Sequence, residues 1–206
     1  MIVSRTVRLT TVLLLGCLAQ AWLATQSGVR AQDSSQLARR VGDPSRGERI
    51  AQSCARCHGE AGMSDTAWIP SLAGMNQDAI YKQLDDYRSH RRRPEWYMGS
   101  IAQALSLQDS ADVSAYYASQ APGFASRAPG GDSPSGAASC GTCHNAQSKD
   151  APQIAGQQPQ YLEIQMSLFS QKIRTNDRDG TMQKIAGELT FEEIRRISES
   201  LGGKSQ

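Results

Sequence analysis

Five cysteines occur in the 206-residue chain, and four of them form two CxxC pairs, each followed at once by histidine. The pairs read Cys54-Ala-Arg-Cys57-His58 and Cys140-Gly-Thr-Cys143-His144. Within one helical turn this spacing brings both thiols to one side, and the adjoining imidazole follows directly. Thiols so placed add across the two vinyl groups of a porphyrin while the imidazole reaches its iron, which makes CxxCH the attachment signature of c-type haem. Zinc is a weaker reading. It asks for no histidine after each pair, and its paired ligands usually lie closer in sequence than Cys57 and Cys140. A disulfide inside CxxC is a redox arrangement, and no βαβ pattern accompanies either pair. The residues therefore point to two covalently bound haem c groups, with His58 and His144 as proximal iron ligands.

These residues need elements to hold them, and the chain supplies them twice. A shift of 82 residues lays Pro70-Ser-Leu72-Ala73-Gly74 on Pro152-Gln-Ile154-Ala155-Gly156. The same shift pairs Ile80, Leu84 and Tyr87 with Leu162, Met166 and Phe169, an i, i+4, i+7 stripe that predicts an amphipathic helix in each half. A shift of 84 aligns Met98 through Ser106 with Met182 through Thr190. Ser106 with Asp109, and Thr190 with Glu193, carry the hydroxyl and acid of a capping box and predict a helix start. Val113, Tyr116 and Tyr117 continue one helix; Ile194, Ile197 and Leu201 continue the other. A Pro, Gly, Ser and Ala-rich stretch separates the halves. The chain divides into a leader at 1–31, a unit at 40–121, a linker at 122–136 and a shorter unit at 137–206, helical throughout with no alternating strand pattern.

The repeat also selects the sixth iron ligand. A thioether raises the potential of haem iron and suits an electron carrier, yet most methionines only fill cores. Met63 and Met75 have no methionine counterpart, and Met166 matches Leu84. Only Met98 and Met182 match each other, and both are expected at the start of the final helix of their unit as axial ligands. His90, unmatched in the second half, reads as a surface residue. Pro70 and Pro152 are candidates to offer a carbonyl to the proximal imidazole. Arg92 and Arg174, matched by the shift of 82, are candidates for contacts with haem propionates. The other members of the Arg88–Arg93 run read as a solvated basic face.

Arg5 and Arg8, the almost wholly apolar Leu9–Ala24 and the small residue Ala31 have the layout of an export signal cleaved before Gln32. The apolar run is shorter than the roughly 20 residues that span a bilayer. Retention of this segment, or lipidation at Cys17 in Leu14-Leu15-Gly16-Cys17, stays open and would tether the protein to a membrane. Lys and Arg number 22 against 20 Asp and Glu. Arg5, Arg8 and Arg30 belong to the leader, so the remaining chain is almost neutral, which argues against a nucleic-acid partner held by phosphate contacts. Each unit has too few residues for a generous apolar core and is expected to lean on its cofactor.

On the two CxxCH motifs, the Pro70–Gly74 segment, Met98 through Leu105-Ser106, Asp112 through Ser119 and their second-half partners, the chain resembles the diheme cytochrome c4 family. The resemblance covers about residues 41 to 205. It implies an all-α fold of two tandem cytochrome c-like haem domains joined by a Gly/Pro/Ser-rich linker. It also implies a periplasmic or membrane-associated electron carrier between a quinol-oxidising complex and a terminal oxidase or similar acceptor, or a dehydrogenase. Two irons with both axial positions filled leave no site for substrate, so no catalytic residue is expected. A haem subunit of a larger dehydrogenase or oxidase, or a diheme peroxidase or sulfur-oxidising enzyme with one open iron, are the competing readings. The second half departs from the pattern: its lead-in helix is trimmed, the glycine-rich stretch after His144 is shortened, and Tyr161 stands where the first half has Ala79.

Overall fold

Asp43 opens the first helix by accepting hydrogen bonds from the backbone N–H groups of Ser45 (2.9 Å) and Arg46 (3.4 Å), with Pro44 in the first turn where a missing N–H costs nothing. The computed structural model describes residues 41–94, 96–122, 137–145, 147–148 and 151–202. The leader with Cys17 and nearly all of the linker lie outside them. In the first half, α1 spans Pro44–His58, α2 Gln77–Arg88, α3 Trp96–Ala104 and α4 Leu107–Ser119. In the second, α5 spans Ala137–Cys143, α6 Pro159–Ser170, α7 Thr181–Gly187 and α8 Phe191–Leu201. No strand occurs among the described residues, and no helix among them is long and apolar enough to cross a membrane.

Both capping boxes form. Ser106 and Thr190 accept from the backbone of Asp109 and Glu193, whose carboxylates reach back to the cap N–H groups. The predicted stripes are buried: Ile80, Leu84 and Tyr87 join Val113 and Tyr117 in one core, and Leu162 and Met166 join Ile194, Ile197 and Leu201 in the other. Phe169 is buried as well. The α1 helix crosses α4 at Gly47, where a Cβ would lie 2.1 Å from the Asp112 carbonyl oxygen. The buried Asp112 side chain ties the crossing, accepting from the Asp43 N–H and the Gln108 amide (each 2.8 Å) and pairing with Arg46 (3.1 Å). The corresponding helix of the second half is α5, which leads into the second haem motif.

Two expectations need correction. Met98 and Met182 do not begin the final helix of each half. They lie in the separate short helices α3 and α7, because the capping boxes at Ser106 and Thr190 start a new helix after them. Arg88 is not part of a solvated face. Its guanidinium donates to the carbonyls of Ala102 (3.1 Å) and Leu105 (3.1 Å) and to the Ser110 hydroxyl (2.7 Å), strapping α2 to the α3–α4 turn. Arg91 is half-exposed and pairs with Asp85 and Asp86.

Candidate haem sites

The last turn of α1 carries Cys54, Cys57 and His58, and the helix stops at Gly59, whose φ of 75° suits glycine. Cys54 is half-buried and Cys57 exposed. The chain then turns back through a short 3₁₀ segment, Glu60–Gly62, and returns to His58 at Pro70. The His58 Nδ1–H donates to the Pro70 carbonyl at 2.8 Å. The second half repeats the arrangement: α5 ends on Cys140 and Cys143, and His144 Nδ1 donates to the Pro152 carbonyl at 2.7 Å. A carbonyl only accepts, so the proton sits on Nδ1 in both rings. Burial pushes the pKa of each imidazole below its ordinary value, and the carbonyl bond opposes that shift only in part. Each ring is therefore neutral near pH 7, with the Nε2 lone pair free to bind a metal.

Met98 is half-buried on α3 and packs against the first core. Met182 is half-buried in the first turn of α7. Asp177 accepts from the adjacent Gln183 N–H (3.0 Å) and side-chain amide (2.8 Å), which fixes the start of that helix. His90 is exposed, with a φ of 58° in the turn that ends α2, and Lys172 adopts the same conformation (56°) after α6. These left-handed residues have a purpose. After them the N–H groups of Arg91 and Arg92 return to the Asp86 carbonyl, and those of Ile173 and Arg174 to the Leu168 carbonyl. The turn is a Schellman-type helix end built twice, and it aims Arg92 and Arg174 inward.

The two arginines meet. Arg92 donates to Gln83 Oε1 of its own half (2.8 Å) and to Gln165 Oε1 of the other (3.1 Å). Arg174 donates to Gln165 Oε1 of its own half (2.7 Å) and to Gln83 Oε1 of the other (3.1 Å). The shift of 82 that pairs the arginines also pairs the glutamines, so the contact has the reciprocal form of a two-fold interface. Arg92 lies over the Tyr87 ring (4.6 Å) and Arg174 over Phe169 (4.4 Å). The departures from symmetry are Tyr161, whose hydroxyl takes a bond from Arg92 (3.0 Å), and Asn176, which serves Arg174 (2.9 Å). Both guanidiniums are buried, and the hydrogen-bond acceptors just named are neutral oxygens. The nearby carboxylate of Asp86 is engaged by Lys82 (2.5 Å), Arg91 (2.9 Å) and Asn176 (2.7 Å). Burial and the neighbouring Arg92 push Arg174 down to about 10. Burial pushes Tyr161 up, but the charges of Arg92 and Arg174 outweigh it and leave its pKa lowered.

The glutamine pair was missed in the sequence, though the repeat signalled it: a polar residue matched at 83 and 165 sits beside the matched apolar stripe.

A cytochrome c family model matches residues 44–121. Cytochrome c4 of Thiocapsa roseopersicina is 33% identical over 184 residues, spanning 81% of this chain and 95% of that one. The chain belongs to the cytochrome c4 family. The crystal structure of reduced recombinant cytochrome c4 from Pseudomonas stutzeri overlays with a TM-score of 0.66 at 29% identity, covering 79% of this chain and 98% of that one. A thiosulfate dehydrogenase electron acceptor of Stutzerimonas stutzeri (strain A1501) is 33% identical over 175 residues, 76% of this chain and 81% of that one. This cytochrome therefore consists of two tandem cytochrome c domains, carries two covalently bound haem c groups at Cys54/Cys57 and Cys140/Cys143, and transfers electrons to and from redox protein partners.

The chain's own chemistry fits that cofactor. Each thiol pair stands next to a neutral imidazole with a free Nε2. The hydroxyl of the buried Tyr117 makes no hydrogen bond of ordinary geometry and lies beside Cys54. Arg92 and Arg174, buried and hydrogen-bonded to neutral oxygens, suit a group that brings acids with it.

Proposed function

We propose that this cytochrome is a periplasmic carrier of single electrons in which His58 with Met98, and His144 with Met182, hold the two haem irons from both sides. The observation that carries this reading is the repeated device of a CxxC pair, an adjacent histidine and a proline carbonyl on Nδ1. When bound, each haem iron gains and loses one electron. The chain's residues set the terms of that exchange. Burial keeps the imidazoles neutral, while Pro70 and Pro152 keep them correctly turned, and the hydrogen bond gives each ring more electron-donating character. Arg92 and Arg174 hold the propionates as charge partners. The first haem domain runs from 40 to 121, the linker from 122 to 136 and the second, shorter domain from 137 to 206.

The partners are a quinol-oxidising complex on one side and a terminal oxidase or comparable acceptor on the other. A dehydrogenase as electron donor is the second reading, favoured by the likeness to a protein named as a thiosulfate dehydrogenase electron acceptor. The deciding experiment is a pyridine haemochrome count on the purified, exported protein combined with a redox titration. The expected result is two haems per chain, two one-electron steps, and in the oxidised form the long-wavelength band of thioether-ligated iron. A colourless exported protein, or one lacking that band at both haems, overturns the proposal.

A further inference from the structure

The peptide group between Pro70 and Ser71 is engaged at both ends. Its carbonyl accepts the Nδ1–H of His58 at 2.8 Å, and its N–H donates to Gln157 Oε1 at 2.9 Å. Gln157 belongs to the second domain. Its Nε2 completes a clamp by donating to the Ser71 carbonyl at 2.9 Å, so both atoms of the carboxamide are assigned by their partners. The side chain is 1% exposed and Ser71 is 3% exposed, so water does not compete for these bonds. Oε1 also accepts the Gln158 N–H at 3.0 Å, which fixes the carboxamide from its own side.

Among the described residues the second haem motif has no such arrangement. The shift of 82 places Met75 opposite Gln157, and Met75 is packed in the first core. The first domain answers across the interface with Asn76, whose amide donates to the carbonyls of Ser148 and Ala151, the latter at 3.1 Å. Ala151 precedes Pro152, so this contact lies one peptide away from the one that serves His144.

We infer that Gln157 is a positioning residue through which the second domain sets the potential of the first haem. Hydrogen bonds in line through one amide reinforce each other. An N–H that donates to Gln157 leaves the Pro70 carbonyl a better acceptor for the His58 proton. The ring then carries more negative charge and favours oxidised iron. The coupling runs one way, from the second domain to the first haem.

The test uses the holoprotein, with the first haem's step identified by its response to Met98→Ala. Gln157→Met, which copies position 75, is expected to make that haem easier to reduce. Its reduction equilibrium constant should rise about two- to tenfold, which at 59 mV per decade for one electron is about 20–60 mV. The second haem's step stays in place. Gln157→Glu keeps an oxygen on the Ser71 N–H and should lower the first potential by more than the second. Gln158→Met removes another bond across the interface, Gln158 Nε2 to the Ser64 carbonyl at 2.6 Å, and should leave the first potential unmoved. An unmoved first potential in Gln157→Met, a rise in Gln157→Glu, or an equal shift in Gln158→Met overturns the inference. It rests on His58 as the proximal ligand. That reading fails separately, if His58→Ala leaves the first haem's spectrum unchanged.

Discussion

Much of the electronic control at each haem comes down to where one proton sits. His58 and His144 are buried, so a charged ring is disfavoured, and a proline carbonyl at 2.8 and 2.7 Å claims the Nδ1 proton. In the proposed ligation a thioether on the other side is the second control. Met98 and Met182 are the methionines that both repeats share, and exchanging either for alanine would remove that ligand, which raises the potential. Each variant should lower the potential of one haem only and open that iron to carbon monoxide, read by difference spectra of the reduced protein. Unchanged spectra in both variants would remove the assignment. The CxxCH motifs were legible because chemistry fixes their type and spacing, and the pairing of Met98 with Met182 because the chain repeats itself. Gln157 was not: a glutamine in a loop has no signature until the fold places it against Ser71.

At the level of elements, the crossing of α1 over α4 depends on the missing side chain of Gly47. Gly47→Ala puts a methyl 2.1 Å from the Asp112 carbonyl. Forcing an atom into a packed contact costs about 1–3 kcal/mol, so the first domain should melt earlier while the haem count stays at two, as calorimetry and the haemochrome assay would show. The capping boxes carry a pH dependence. The Ser106 side chain and backbone hold Asp109 below its ordinary 3.8, and the Thr190 backbone and side chain hold Glu193 below its ordinary 4.5. A carboxylate with a lowered folded pKa stabilises the fold above its ordinary value and loses that contribution as pH falls through the folded one. Ser106→Ala should cost about 1 kcal/mol near neutral pH. Its melting-temperature deficit, together with that of Thr190→Ala, should shrink as pH drops from 6 to 3; a constant deficit would show that the carboxylates add nothing. The caps and the apolar stripes were legible because both are local patterns of period and type. The separate helices α3 and α7 were not, since only two or three residues part each of them from the helix that follows. The left-handed His90 and Lys172 stand where glycine is usual, so the turn they make left no mark either.

For the whole molecule, the question is what the two domains share. Each arginine divides its bonds between its own domain's glutamine and the other's, and the two cations sit in one buried cluster. The repeat showed that Arg92 and Arg174 correspond, but correspondence in sequence does not say whether two residues meet or stay apart. Only the docking of the domains decides that. It also gathers the two cations into a common positive field, which favours the reduced form of any haem within reach because electrostatic effects are weakly screened in a buried site. Arg92→Met keeps the length and apolar stem of the side chain while deleting its charge. Both haem potentials should then fall, with the haem count and the thioether band retained, in a spectroelectrochemical titration that resolves the two steps. The drop should shrink little between low and high salt, because the cluster is closed to solvent. If only the first haem's potential moved, each arginine would serve its own domain alone, and the reciprocal glutamine bonds would hold the domains together without linking their redox chemistry.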